Sequence, residues 1–84
     1  MKPSPPLLSH VFSRFPDQKA MILRLLQDSD PFRTLCRDYQ ECGDALAYWT
    51  EAASEEAPVR RQEYGELLCE LEKEIADYLQ LDTN

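Results

Sequence analysis

Apolar residues fall along this 84-residue chain in stripes of helical period, and prolines separate the stripes. Leu7, Leu8, Val11, Phe12 and Phe15 form the first stripe, narrow enough for one face of a short helix. Pro3, Pro5 and Pro6 precede it, so residues 1–6 are expected to be a flexible or extended leader, with Ser4 a candidate cap for a helix over about 7–14. Phe15 stands before Pro16, which disfavours α geometry at Phe15 and predicts a break. Pro16 then suits the opening of a second helix, over about 16–28, with Asp17 near its positive end. Ala20, Met21, Leu23, Leu25 and Leu26 supply its apolar positions.

Two longer stripes follow. In Ser29-Asp30-Pro31, Asp30 is the expected N-cap and Pro31 the first helical residue. Phe32, Leu35, Tyr39, Cys42, Leu46, Trp49 and Ala53 are then spaced alternately three and four apart, a heptad seam that predicts a helix over about 31–53. Beyond Pro58, Tyr64, Leu68, Leu71, Ile75 and Tyr78 repeat the pattern and predict a helix over about 58–80. The stretch from Ala52 to Ala57 is a connection of the length helical bundles use.

Two seams and a short connection imply an antiparallel hairpin with arms of roughly 34 Å. Pairing residues whose numbers add to 110 sets Phe32 by Tyr78, Leu35 by Ile75, Tyr39 by Leu71, Cys42 by Leu68 and Leu46 by Tyr64. Two helices cannot bury a seam from both sides. The expected fold is therefore all-α: a long helical hairpin with the short N-terminal helices packed over its open end, residues 7–84 forming one domain. The loop end, near Trp49, Tyr64 and Arg60, should be least covered. Gly43 and Gly65 lie at similar heights on the two arms. Either they permit close approach of the arms, helped by Ala47, or they are tolerated surface glycines.

Composition narrows the function classes. The length excludes a multidomain enzyme, and 43% hydrophobic with 30% charged residues suits a small soluble helical domain. The net charge of −7 is uneven. Residues 1–37 carry six bases and three acids, +3, whereas residues 38–84 carry three bases and thirteen acids, −10. Such an acid excess makes nucleic acid and anionic membranes poor partners. The basic front can dock on the acidic back or join copies head to tail. No run approaches the roughly 20 apolar residues of a membrane span, and the opening does not read as a signal peptide. The expectation is a cytoplasmic chain with reduced thiols.

Candidate chemistry is sparse. His10 has no implied catalytic partner, and two glycines within helices make no phosphate loop. Glu63, Glu66, Glu70, Glu74 and Asp77 fall at helical spacing and read as a solvated stripe, since the Glu-x-x-His pairs of di-iron bundles are missing. No cofactor or metal site is expected, and the protein is read as not an enzyme. Cys36 and Cys42 are roughly 240° apart on a helix and share no face. The register brings Cys69 close to Cys42, a candidate redox pair; the alternative is that all three cysteines are small buried apolar residues. Tyr48, Trp49 and Tyr64, with the spare apolar positions Leu67 and Leu79, form a candidate interaction surface. The alternative for the aromatics is that they close the seam.

The order of these signals resembles the YdcH-like family of small bacterial proteins. Phe15-Pro16 opens a short helix with Ile22 and Leu25-Leu26; Asp30-Pro31-Phe32, Leu35 and Tyr39 follow; a Leu/Glu/Lys/Ile helix ends near Leu79. The likeness covers about residues 15–80. The chain departs from that pattern in carrying Cys36 and Cys42, and in having tyrosine where a His-Asn pair often follows the first seam. The resemblance implies a helical hairpin of bacterial cytosolic origin and brings no functional site with it, because members of that family have no established biochemical role. The expected function is a noncatalytic helical interaction or adaptor protein, acting on an unknown protein partner or on itself as a homodimer. The alternative is a thiol-based redox-responsive protein using Cys42 and Cys69.

Overall fold

The computed structural model describes residues 8–81, with only the backbone for Leu81. The expected leader, the cap at Ser4 and the contribution of Leu7 lie outside the described residues. Four α-helices run in order: α1 Ser9–Arg14, α2 Lys19–Asp28, α3 Asp30–Glu51 and α4 Ala57–Leu81. There is no strand among the described residues, so the fold is all-α as expected.

Local chemistry sets the boundaries. Phe15 leaves helical geometry (φ −125°, ψ 61°), as the following proline requires. Pro16 opens the next element as a 3₁₀ turn, Pro16–Gln18, with Gln18 N–H donating to the Phe15 carbonyl at 3.2 Å, and α2 proper begins at Lys19. The N-cap of α3 is Ser29 rather than Asp30. Ser29 is extended (φ −133°, ψ 111°), and its Oγ accepts from Phe32 N–H at 3.2 Å. The same residue ends α2 by donating its N–H to Leu25 O at 2.9 Å, so the joint is one residue long and Asp30 is drawn into the first turn. There Asp30 pairs with Arg33, whose Nη1 also donates to the carbonyls of Leu26 and Gln27 at the end of α2.

α3 and α4 pack along each other as an antiparallel hairpin, and of the expected pairs the one at the open end is made directly. Phe32 and Tyr78 meet edge to face, with ring centroids 5.3 Å apart. At the other end Arg61 Nη1 donates to the carbonyl of Trp49 at 3.3 Å. Midway, Tyr39 Oη donates to Glu72 Oε2 at 2.9 Å. α1 and α2 lie on α3 and bury Val11 and Ile22 against Phe32, Cys36, Ile75 and Leu79.

That cover stops partway. Burial along α3 runs from Phe32 to Gly43; Leu46 and Trp49 are half-buried and Ala53 is exposed. On α4, Leu71, Ile75 and Leu79 are buried while Tyr64 and Leu68 are half-buried. The open end is covered and the loop half is largely bare, as expected with the N-terminal helices packed over the open end.

The two glycines have different roles, and neither admits the opposite arm of the hairpin. A Cβ at Gly43 would lie 2.6 Å from His10 Cδ2, so the close approach is by α1. A Cβ at Gly65 would meet nothing within 4 Å. Gly65→Ala should therefore stabilise the chain by about 0.5–1 kcal/mol through helix propensity. Gly43→Ala should give no such gain in the wild-type background but recover it in a His10→Ala background. Equilibrium urea unfolding of the four variants, followed by helical circular dichroism, checks this; an equal gain from Gly43→Ala with and without the histidine would refute the assigned contact.

Candidate interaction surface

A six-residue helix is far below the length that holds itself together in water, so α1 exists by docking. Its own N-cap position, Leu8, offers no side-chain acceptor. Gln40 of α3 supplies one: its Oε1 accepts from His10 N–H at 2.9 Å. The amide nitrogen of Gln40 donates to Ser9 Oγ at 3.3 Å and Asp44 Oδ1 at 3.4 Å, and His10 Nε2 lies 3.0 Å from the same Asp44 oxygen. Gln40 is thus buried with its hydrogen bonds satisfied. At the far end of α1, Arg14 Nε lies 2.8 Å from Glu72 Oε1, so Glu72 ties α1 to α4 and, through Tyr39, to α3.

These contacts define where the cover ends. Beyond His10 and Ser13 a groove of about 550 Å³ opens along Gly43, Leu46, Ala47 and Thr50, with Leu68 across from them. On the opposite face of the hairpin, Cys42, Ala45, Tyr64, Leu67 and Leu71 line a second, smaller groove of about 360 Å³. Tyr48 is 66% exposed and Leu67 44% exposed. Tyr48 stacks edge-on against the half-buried Trp49, with ring centroids 5.0 Å apart.

Of the five residues assigned from sequence to one surface, Tyr48, Trp49, Tyr64 and Leu67 do lie on the loop half. Leu79 does not. It is 1% exposed, packed in the core at the open end beside the α2 cover, and so is unavailable for a partner. Trp49 and Tyr64 remain half-buried, so they line the seam as well as bordering free surface.

The cysteines separate by environment. Cys36 and Cys42 are buried and Cys69 is exposed, so the reading of all three as core residues fails for Cys69. Burial pushes the Cys36 thiol up to about 12 and raises that of Cys42, whose Sγ lies 3.3 Å from the Tyr64 carbonyl and donates to it. Reactive thiols are activated by a lowered pKa, so the Cys42 side of the proposed redox pair is set against reaction. The Tyr39 phenol is pushed up to about 12, first by burial, then by its hydrogen bond to Glu72 and the negative charge there.

Sequence reasoning missed the docking latch. His10 and Asp44 lie 34 residues apart, and His10 and Gln40 lie 30 apart, so no helical spacing relates them. The one available signal was Gly43 in mid-helix, a costly residue there unless something approaches it. No group of three or more His, Cys, Asp or Glu side chains among the described residues could hold a metal ion. Among the same residues, no helix is long and apolar enough to cross a membrane. Neither a family model, nor a curated protein, nor a solved structure matches the chain.

Two measurements check this account. Alkylation of the native protein should label Cys69 quickly, and Cys36 and Cys42 only as the chain unfolds; mass mapping of early adducts on Cys42 would overturn the burial argument. Stability should also fall at high pH. Below about pH 8 Cys36 and Tyr39 are protonated whether the chain is folded or not. As pH rises toward 12, the unfolded chain releases protons that the folded chain retains, which lowers stability by something on the order of a few kcal/mol. Thermal melts from pH 8 to 11.5 should show that decline, and Cys36→Ala combined with Tyr39→Phe should flatten it.

Proposed function

We propose that this protein is a noncatalytic helical interaction module of the cytoplasm, binding a protein partner or a second copy of itself through the bare half of its hairpin. The observation that carries the reading is the exposure of Tyr48 and Leu67 beside the half-buried Trp49 and Tyr64. Large aromatic and aliphatic side chains gathered at one end of a small domain are the usual anchors of protein interfaces. The acid excess favours protein over nucleic acid or an anionic membrane. The likeness to YdcH-like hairpins accords with a bacterial helical module and contributes no residue to the site.

The test measures association and its dependence on this surface. Light scattering across a hundredfold concentration range reads self-association, and crosslinking from position 48 inside the native host reads partners. Tyr48→Glu and Leu67→Glu should abolish whichever contact is found while changing stability by only about 0.5 kcal/mol, as expected for exposed positions. A monomer at every concentration that also yields no crosslink dependent on these residues would rule the proposal out.

A further inference from the structure

We infer that the groove on the face of the hairpin opposite α1 is built for a basic amphipathic helix of a partner protein, an inference that rests on the interaction reading above and gives it a site and a chemistry. The floor is apolar: Cys42 and Ala45 from α3, with Tyr64, Leu67 and Leu71 from α4. Its α3 wall is topped by Asp38 and Glu41, both exposed. Helical spacing places Glu63, Glu70 and Glu74 along the outer flank of Leu67, four before it and three and seven after, and all three are exposed. Carboxylates therefore line both edges of an apolar trough. Arg60, a base at its loop end, is already held by Glu56 at 3.8 Å and Glu63 at 3.1 Å. No ion pair joins Asp38, Glu41, Glu70 or Glu74 to another described residue.

The dimensions fit one helix. From Asp38 to Ala45 the trough runs about 11 Å, two turns of a guest helix. A helix in a groove presents apolar anchors at three- and four-residue steps to the floor, with its flanks meeting the rims. Here the flanks must carry Lys or Arg, because acidic flanks would face like charge on both sides and neutral ones would leave the carboxylates unanswered. The other groove has a different border, since His10 and Arg14 on its α1 side are already engaged by Asp44 and Glu72. The N-terminal half of a second copy carries net positive charge, but among its described residues Val11, Ile22 and Phe32 are fully buried and Leu23, 47% exposed, is the one large apolar side chain left open, a single anchor where a groove-bound helix uses several.

The probe is a synthetic helix-forming peptide of about 14 residues with leucine on one face and lysine on both flanks, long enough to span the trough and overhang it at each end. Trp49, the sole tryptophan, lies at the loop end and reports binding by its emission; calorimetry gives the affinity. We expect binding at least about tenfold tighter than to a peptide of the same composition with its leucines scattered round the helix, and weakening as salt rises. Leu67→Asp, and separately Glu41→Lys with Glu70→Lys, should each weaken binding about tenfold or more, all three positions being exposed and circular dichroism verifying the fold. Ala47→Glu, in the other groove, should leave binding unchanged. Equal binding of the scattered peptide, tighter binding of a glutamate-flanked one, insensitivity to the groove variants or sensitivity to Ala47→Glu would each overturn the inference. If the probe fails while crosslinks from position 48 still capture a partner or a second copy, the trough assignment falls and the interaction reading stands; if both fail, both fall.

Discussion

A hairpin of two helices leaves its seam open on two sides, and the other described helices are too short to close either side fully. α3 has 22 residues, or about 33 Å; α1 and α2 together have 16 residues, or about 24 Å laid end to end. The shortfall falls on the loop half because α2 is tethered to the open end by the single-residue joint at Ser29. From this follow the burial of Phe32, Cys36 and Leu79, the half-burial of Leu46, Tyr64 and Trp49, and the bare flank on which Tyr48 and Leu67 sit. The cover is held at its limit by polar contacts rather than by more apolar area. Gln40 caps the N-terminus of α1, Glu72 receives Arg14 at its C-terminus, and Gly43 makes the room for His10 between them.

Much of this was legible in the residues themselves. The alternate three- and four-residue spacing from Phe32 to Trp49 and from Tyr64 to Tyr78 identified both long helices, and matching apolar partners placed Phe32 against Tyr78, as found. That works because a slip would set apolar residues against water at about 25 cal/mol per Å². Pro31 and Pro58 marked helix starts within one residue, and Pro16 opened the 3₁₀ turn that leads into α2 three residues on, since a missing N–H is harmless only in the first turn. The error at the α3 cap came from judging Asp30 alone. Ser29 and Asp30 are both good caps, and the end of α2 decided between them by engaging the Ser29 amide.

What escaped was tertiary. Periodicity shows that Leu79 is apolar and on α4, but not that α2 covers it. The same holds for Gly43, whose neighbour is a histidine 33 positions earlier rather than Gly65 on the paired arm. Cys69 was another such case: its helix faced the right arm, yet its thiol is left in solvent while Cys42 is not. Packing of a third element over a hairpin is set by the loop path and by a few side-chain hydrogen bonds, and neither leaves a repeating mark in the sequence.

The trans cap on α1 also bears on the order of events as the chain is made. α1 is the first described helix to be synthesised, but its acceptor at Gln40 comes 30 residues later and its anchor at Glu72 comes 58 residues after Arg14. Six residues cannot hold a helix unaided. Val11 and Phe12 must therefore wait, without a core to enter, until α3 and most of α4 have emerged and paired. The helix that is made first is the one that forms last, and the same logic makes it the first to open from the native state.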